Sequence, residues 1–131
     1  MLRKFLPLVA IFILLLPAIG CTTNKQVTLT ADDNGRQVEV EAGGQIVINL
    51  EGNPSTGYTW EAKDLDTTML EQVGDPVFIS TSPGSVGSGG ILTLTFKSLK
   101  AGTASLKLVY HRPWEPGVDP LDTFTITVKS K

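Results

Sequence analysis

From Gln26 onward, apolar residues recur at every second position in a series of short runs, and this period of two restricts the fold more than any other feature of the chain. A strand sends successive side chains to opposite faces, so such runs build half-buried strands rather than helices. "QVTLTA" sets Val27, Leu29 and Ala31 on one face and threonines on the other. "RQVEVEA" alternates Val38 and Val40 with charge, and "YTWEA" alternates Tyr58, Trp60 and Ala62. "ILTLTFKSL", "TASLKLVYH" and "DTFTITVK" repeat the pattern, with Thr123, Thr125 and Thr127 on the solvent face of the last. "QIVINL" is nearly continuous apolar sequence, which predicts a central strand buried on both faces. "PVFIS" reads as a brief strand, and "DLDTTMLEQV" as either a helical turn or a short strand. Turn formers separate the runs. Asn34-Gly35 predicts a type I′ hairpin, because both residues accept positive φ. Seven to nine strands at this spacing predict an all-β sandwich or barrel over residues 26–131; the size matches an immunoglobulin-like antiparallel β-sandwich, although the Cys-Trp-Cys hallmark of antibody domains is absent.

The first twenty residues belong to a different pattern. Arg3 and Lys4 precede an apolar run from Phe5 to Ile19, and the segment ends in Ala18, Ile19, Gly20 and Cys21. That is the order of a secretory signal. The run is short for a membrane span and contains Pro7 and Pro17. The position of Cys21 resembles a bacterial lipobox, in which this cysteine is lipidated and becomes the first residue. Ala18 stands where Leu is commoner at the third position before it. The alternatives are a plain signal peptide or a single uncleaved anchor, with Cys21 incidental. The expected organisation is a lipoprotein signal over 1–20, a short tether over 21–25 and one domain over 26–131. The expected location is outside the cytoplasm, lipid-anchored to the extracytoplasmic face of a membrane, in a periplasm or at a cell surface.

The full chain has 11 basic and 13 acidic residues, and loss of Arg3 and Lys4 with the leader leaves 9 and 13, a formal charge of −4. Such a balance offers no basic patch to a nucleic acid. Cys21 is the only cysteine, so no disulfide can form within the chain.

Three segments, 51–57, 81–90 and 111–120, are richer than a connection requires. If successive connections alternate between the two ends of a sandwich, the first and third fall at one end, with the second beside them. Pro54 drives Asn53 towards an extended conformation, and Gly57 accepts positive φ, so Ser55 and Thr56 form a stiff tip. Arg112-Pro113-Trp114 sets a large ring on a constrained turn, where it needs a core slot or a partner. Gly87, Ser88, Gly89 and Gly90 expose backbone that could pair with another chain.

"NPSTGY" (53–58), "GSGG" (87–90) and "RPW" (112–114), in this order, resemble the three signature motifs of the chagasin-like cysteine peptidase inhibitors, of a prokaryotic, lipoprotein type. The likeness runs from about Val27 to Val128. It implies a sandwich whose three loops form a wedge that plugs the cleft of papain-like cysteine peptidases, reversibly and in competition with substrate. Asn53 to Tyr58 would supply the tip, with Ser55, Thr56 and Gly57 over the catalytic cysteine. Gly87 to Gly90 would lie along one side of the cleft. Arg112, Pro113 and Trp114 would pack on the other, with Trp114 against aromatic surface. Ser55 replaces the commoner Thr and loses a methyl contact, and the loop before "GSGG" is long and carries Pro83.

Each motif also has a plain structural reading: Trp60 as core, Trp114 as a cap on the sandwich, Arg112 as a solvated charge. No catalytic constellation is present. His111 is the only histidine and has no nucleophile partner for a Cys-His pair. "GSVGSGG" lacks the lysine of a phosphate loop and precedes a strand. Asp119 and Asp122 are too few ligands for calcium. No cofactor, no metal and no enzymatic activity are expected, and a monomer suffices. The competing function is a surface-anchored immunoglobulin-like module for adhesion or assembly, with no peptidase target.

Overall fold

In the computed structural model, which describes residues 25–131, the alternating runs become nine strands in two facing sheets. The signal segment, Cys21 and nearly all of the tether lie outside the described residues. The strands are β1 (Gln26–Leu29), β2 (Gln37–Val40), β3 (Gln45–Gly52), β4 (Thr59–Lys63), β5 (Leu70–Gln72), β6 (Val77–Ser80), β7 (Gly90–Ser98), β8 (Gly102–His111) and β9 (Asp122–Ser130). One sheet runs β1-β3-β7-β5, with β6 also paired to β7, and the other runs β2-β9-β8-β4. β5 pairs with Phe96 to Ser98 of β7, and β6 with Gly90 to Thr93. The two short strands therefore share one edge.

Burial alternates as a two-sided sheet requires. Ile46, Ile48 and Leu50 of β3 meet Leu92, Leu94 and Phe96 of β7 across the ladder and point inward. Leu106, Leu108, Phe124 and Ile126 answer them from the other sheet. Each fully buried side chain of this kind stabilises the fold by about 1.5–3 kcal/mol. Among the described residues the buried core runs from Leu29 to Val128.

Four expectations are corrected. Asn34-Gly35 makes no hairpin, because β1 and β2 belong to different sheets. Asn34 has φ −55° and ψ 130° and Gly35 has φ 83°, the signature of a type II turn, which Arg36 N closes onto Asp33 O at 3.1 Å. The preceding Ala31–Asp33 forms a 3-10 turn, so Ala31 leaves the strand face and is exposed. β3 is central, but only one of its faces is buried. Val47 and Asn49 on the other face are half-exposed, and Asn49 Oδ1 accepts a hydrogen bond from Thr93 Oγ1 at 2.7 Å. The sheets are also mixed: β1 runs parallel to β3, and β2 parallel to β9. This follows from the chain crossing between sheets after β1 and again after β2.

The ambiguous stretch 64–73 contains both predicted forms. A turn closes with Leu70 N donating to Asp66 O at 2.9 Å, and β5 follows. The Thr68 hydroxyl and then its N–H bind Asp66, which holds that carboxyl below the usual range. This turn lies at the pole where β7 ends and β8 begins. Lys25, at the start of the described chain, lies there too, its carbonyl accepting from Gln45 N at 2.8 Å.

Candidate functional site

The other pole is set by strand ends. β3 finishes at Gly52, opposite Gly90 where β7 starts. β4 starts at Thr59, opposite His111 where β8 finishes, and Asp122 opens β9 beside Tyr110. The connections 53–58, 81–89 and 112–121 therefore emerge together, as the strand count anticipated. Glu51, Gly52, Gly90 and His111 belong to strands, so the first two loops are slightly shorter than the segments read from sequence and the third is shifted by one residue.

The first loop is shaped by local chemistry. Asn53 is extended at φ −137° and ψ 93°, as the following proline demands. Pro54 to Thr56 make one 3-10 turn, and Gly57 ends it at φ 83°. Asn53 Oδ1 accepts from Ser55 N at 3.2 Å and from Ser55 Oγ at 2.5 Å, while Thr56 Oγ1 donates to Asn53 O at 2.6 Å. These bonds leave the tip little conformational freedom.

Asn53 then ties this loop to the second. Its Nδ2 donates to Gly87 O at 2.9 Å, and Ser55 Oγ approaches the same carbonyl at 3.5 Å. Gly87 has φ 78°, which turns that carbonyl towards the tip without a steric cost. Ser88 Oγ bonds within its own loop, to Ser85 O at 3.1 Å. Gly89 runs close to β3: a Cβ there would stand 3.3 Å from Gly52 O. Gly90 is buried as the first residue of β7, where a side chain would strike the Ile79 carbonyl of β6.

Arg112 ties in the third loop. Its Nε donates to Thr56 O at 3.0 Å, its Nη1 reaches Glu115 Oε1 at 3.1 Å, and its guanidinium lies 4.5 Å from the centroid of Tyr58. Pro113 and Trp114 are exposed. The Trp114 indole keeps 64 % of its surface open, yet its edge rests on Gly57, where an added Cβ would stand 2.7 Å from Cζ2 and nearer still to Cη2. All the residues read from the three motifs thus meet at one pole, linked by Asn53 and Arg112. Trp114 neither caps the sandwich nor enters the core. Trp60 does enter it, at 4 % exposure.

Two supporting residues were not legible in the motifs. Tyr110 stacks between Trp60 at 5.2 Å and Tyr58 at 5.4 Å, and its hydroxyl accepts from Asn53 N at 2.9 Å. The column Trp60, Tyr110, Tyr58, Arg112 carries the rigidity of the core out to the tip. In the sequence Tyr110 looks like any alternating residue of its strand, so nothing marks its hydroxyl. Glu115 had a weak signal in its spacing, three residues after Arg112. His111 ends β8, where its Nε2 meets Glu61 Oε2 of β4 at 2.8 Å.

Residues 39–128 match the model of the chagasin family of peptidase inhibitors. Amoebiasin-2 of Entamoeba histolytica is 38% identical over 115 residues, which span 85% of this chain and 92% of that protein. The crystal structure of the cysteine protease inhibitor EhICP2, from Entamoeba histolytica, is 32% identical and superposes with a TM-score of 0.71, covering 81% of this chain and 96% of that one. Leishmania mexicana ICP is 37% identical, with a TM-score of 0.58, over 76% of this chain and 90% of that one.

Proposed function

This chain belongs to the chagasin family of peptidase inhibitors, and from that membership we propose that its three loops enter and block the active-site cleft of a papain-like cysteine peptidase. Asn53 to Tyr58 form the leading edge, Gly87 to Gly90 one flank, and Arg112 to Trp114 the other. The single observation that carries this assignment is the mutual tethering of the three loops through Asn53 and Arg112, with an exposed indole seated on the tip. A surface locked before contact loses little entropy on docking. Inhibition requires no chemistry from the inhibitor. The 3-10 turn at Pro54 to Thr56 is tightly bonded to itself, so the tip offers the peptidase thiolate no extended bond to attack. All three loops come from one chain, so a monomer suffices. Family membership leaves the adhesion reading without support.

Titration of papain with residues 25–131 tests this. Stoichiometric, reversible loss of activity that substrate competes away is the expected result. A folded domain that leaves papain and a second papain-like peptidase untouched would overturn it.

We also infer that the protein is exported and lipidated at Cys21, with residues 1–20 removed. The leader supports this, and so does the geometry of the domain. The chain leaves the sandwich at Lys25, at the pole opposite the loops. A nine-residue strand such as β7 spans about 30 Å at 3.3 Å per residue. An anchor at that pole would hold the loops about that far from the bilayer, facing the aqueous compartment. Cys21→Ser should move the protein from the detergent-rich to the aqueous phase on Triton X-114 partition. A variant that partitions like the parent would refute lipidation at this residue.

A further inference from the structure

Charge is segregated along the axis of the sandwich. Seven lysines fall among the described residues, and none lies nearer the loops than the rung formed by Lys63 and Lys107. In the half that carries the loops, the two arginines are already matched: Arg36 by Asp33 and Arg112 by Glu115, each at 3.1 Å. Four acids in that half, Asp32, Glu51, Asp119 and Asp122, have no ion-pair partner among the described residues. All four are exposed. Glu51 and Asp122 line the hollow beneath the second loop together with Asn53 and Gly89. Apolar side chains stand among these acids. Val118 and Leu121, on the loop that also carries Trp114, are exposed by 58 % and 66 %, and Val86 on the second loop is fully exposed. Exposed apolar side chains with a charged rim have the anatomy of a protein-binding surface, and here the rim has one sign.

We propose that the peptidase this surface selects has a cleft rimmed by lysine and arginine, and that Glu51, Asp119 and Asp122 are the residues that attract it. The proposal rests on the inhibitor reading above and adds the charge of the partner to it. An uncompensated rim acts at a distance, so it speeds encounter with a basic partner and slows encounter with an acidic one. Its reach is about 8 Å at physiological salt and about 30 Å at 0.01 M, so the effect fades as salt is added. The distribution also orients the molecule: the lysines of the other half stand among Glu39, Glu41, Asp64, Asp66, Glu71 and Asp75 and leave it close to neutral, so a basic partner is drawn to the loops first.

The test uses the full chain in a non-ionic detergent and two papain-like peptidases, one with a basic and one with an acidic cleft rim. Association and dissociation rate constants are measured by stopped flow from low to high salt. The parent should associate faster with the basic-rimmed enzyme, and that rate should fall as salt rises. The triple variant Glu51→Gln, Asp119→Asn, Asp122→Asn should lose about tenfold in association rate at low salt, with its dissociation rate and melting temperature nearly unchanged. Equal, salt-independent association with both enzymes, or a triple variant that associates like the parent, would overturn the proposal and leave the inhibitor assignment standing. Absence of inhibition of either enzyme would overturn both.

Discussion

Gly57→Ala should weaken inhibition of a papain-like peptidase by about 100-fold or more. Two physical effects add. Gly57 sits at φ 83°, a conformation that costs an L-residue roughly 1–2 kcal/mol. The new methyl would also occupy the place of the Trp114 ring, 2.7 Å from Cζ2. Relief requires the indole to swing away or the turn to unwind, and either breaks the alignment of the first and third loops. A loss of about 2.8 kcal/mol corresponds to 100-fold in affinity. The core is untouched, since the loops pack outside it, so unfolding stability should fall by only about 1–2 kcal/mol. Progress curves with papain give the inhibition constant, and calorimetry gives the melting temperature. Full inhibition by the alanine variant would show that the indole seat and the left-handed turn are dispensable.

Trp114→Ala should weaken inhibition by about 2–4 kcal/mol, or roughly 30- to 1000-fold, with the melting temperature nearly constant. The ring is 64 % exposed and lies on Gly57 rather than on the core. Little stabilises the free protein there, and a large apolar face is available to a partner. Tryptophan at the centre of an interface is the residue type whose truncation costs most. A collapse of melting temperature would make the ring a structural residue. Unchanged inhibition would remove it from the contact. The two variants also test each other. If Gly57 acts mainly by seating the indole, its effect should largely vanish in the Trp114→Ala background, because residues in contact are not additive.

Much of this was legible without coordinates. Alternation in "ILTLTFKSL" and "TASLKLVYH" specified strands and the faces they bury, because side-chain direction in a strand depends only on parity. The conformations of Asn53 and Gly57 were readable because proline restricts its predecessor and glycine alone enters the left-handed region freely. Local rules failed where distant partners decide. Asn34-Gly35 suits a hairpin, but no partner strand lies across it, and a type II turn serves the crossing between sheets instead. "QIVINL" carries enough apolar residues to be buried twice, yet the sheet that holds it covers only one face.

The sequence by itself determined the all-β character, the inward-facing residues and the stiffness of each loop taken singly, since all of these are set by neighbours within a few positions. Only the tertiary structure decided that Asn53 bonds to Gly87, that Arg112 reaches Thr56, and that Tyr110 joins the tip to Trp60. It likewise decided that the lysines of the described residues stay away from the loops, where Asp32, Glu51, Asp119 and Asp122 stand without an ion-pair partner. These contacts join residues 34, 56 and 57 positions apart. Each depends on how two sheets stack and where their strands end, which no stretch of sequence contains.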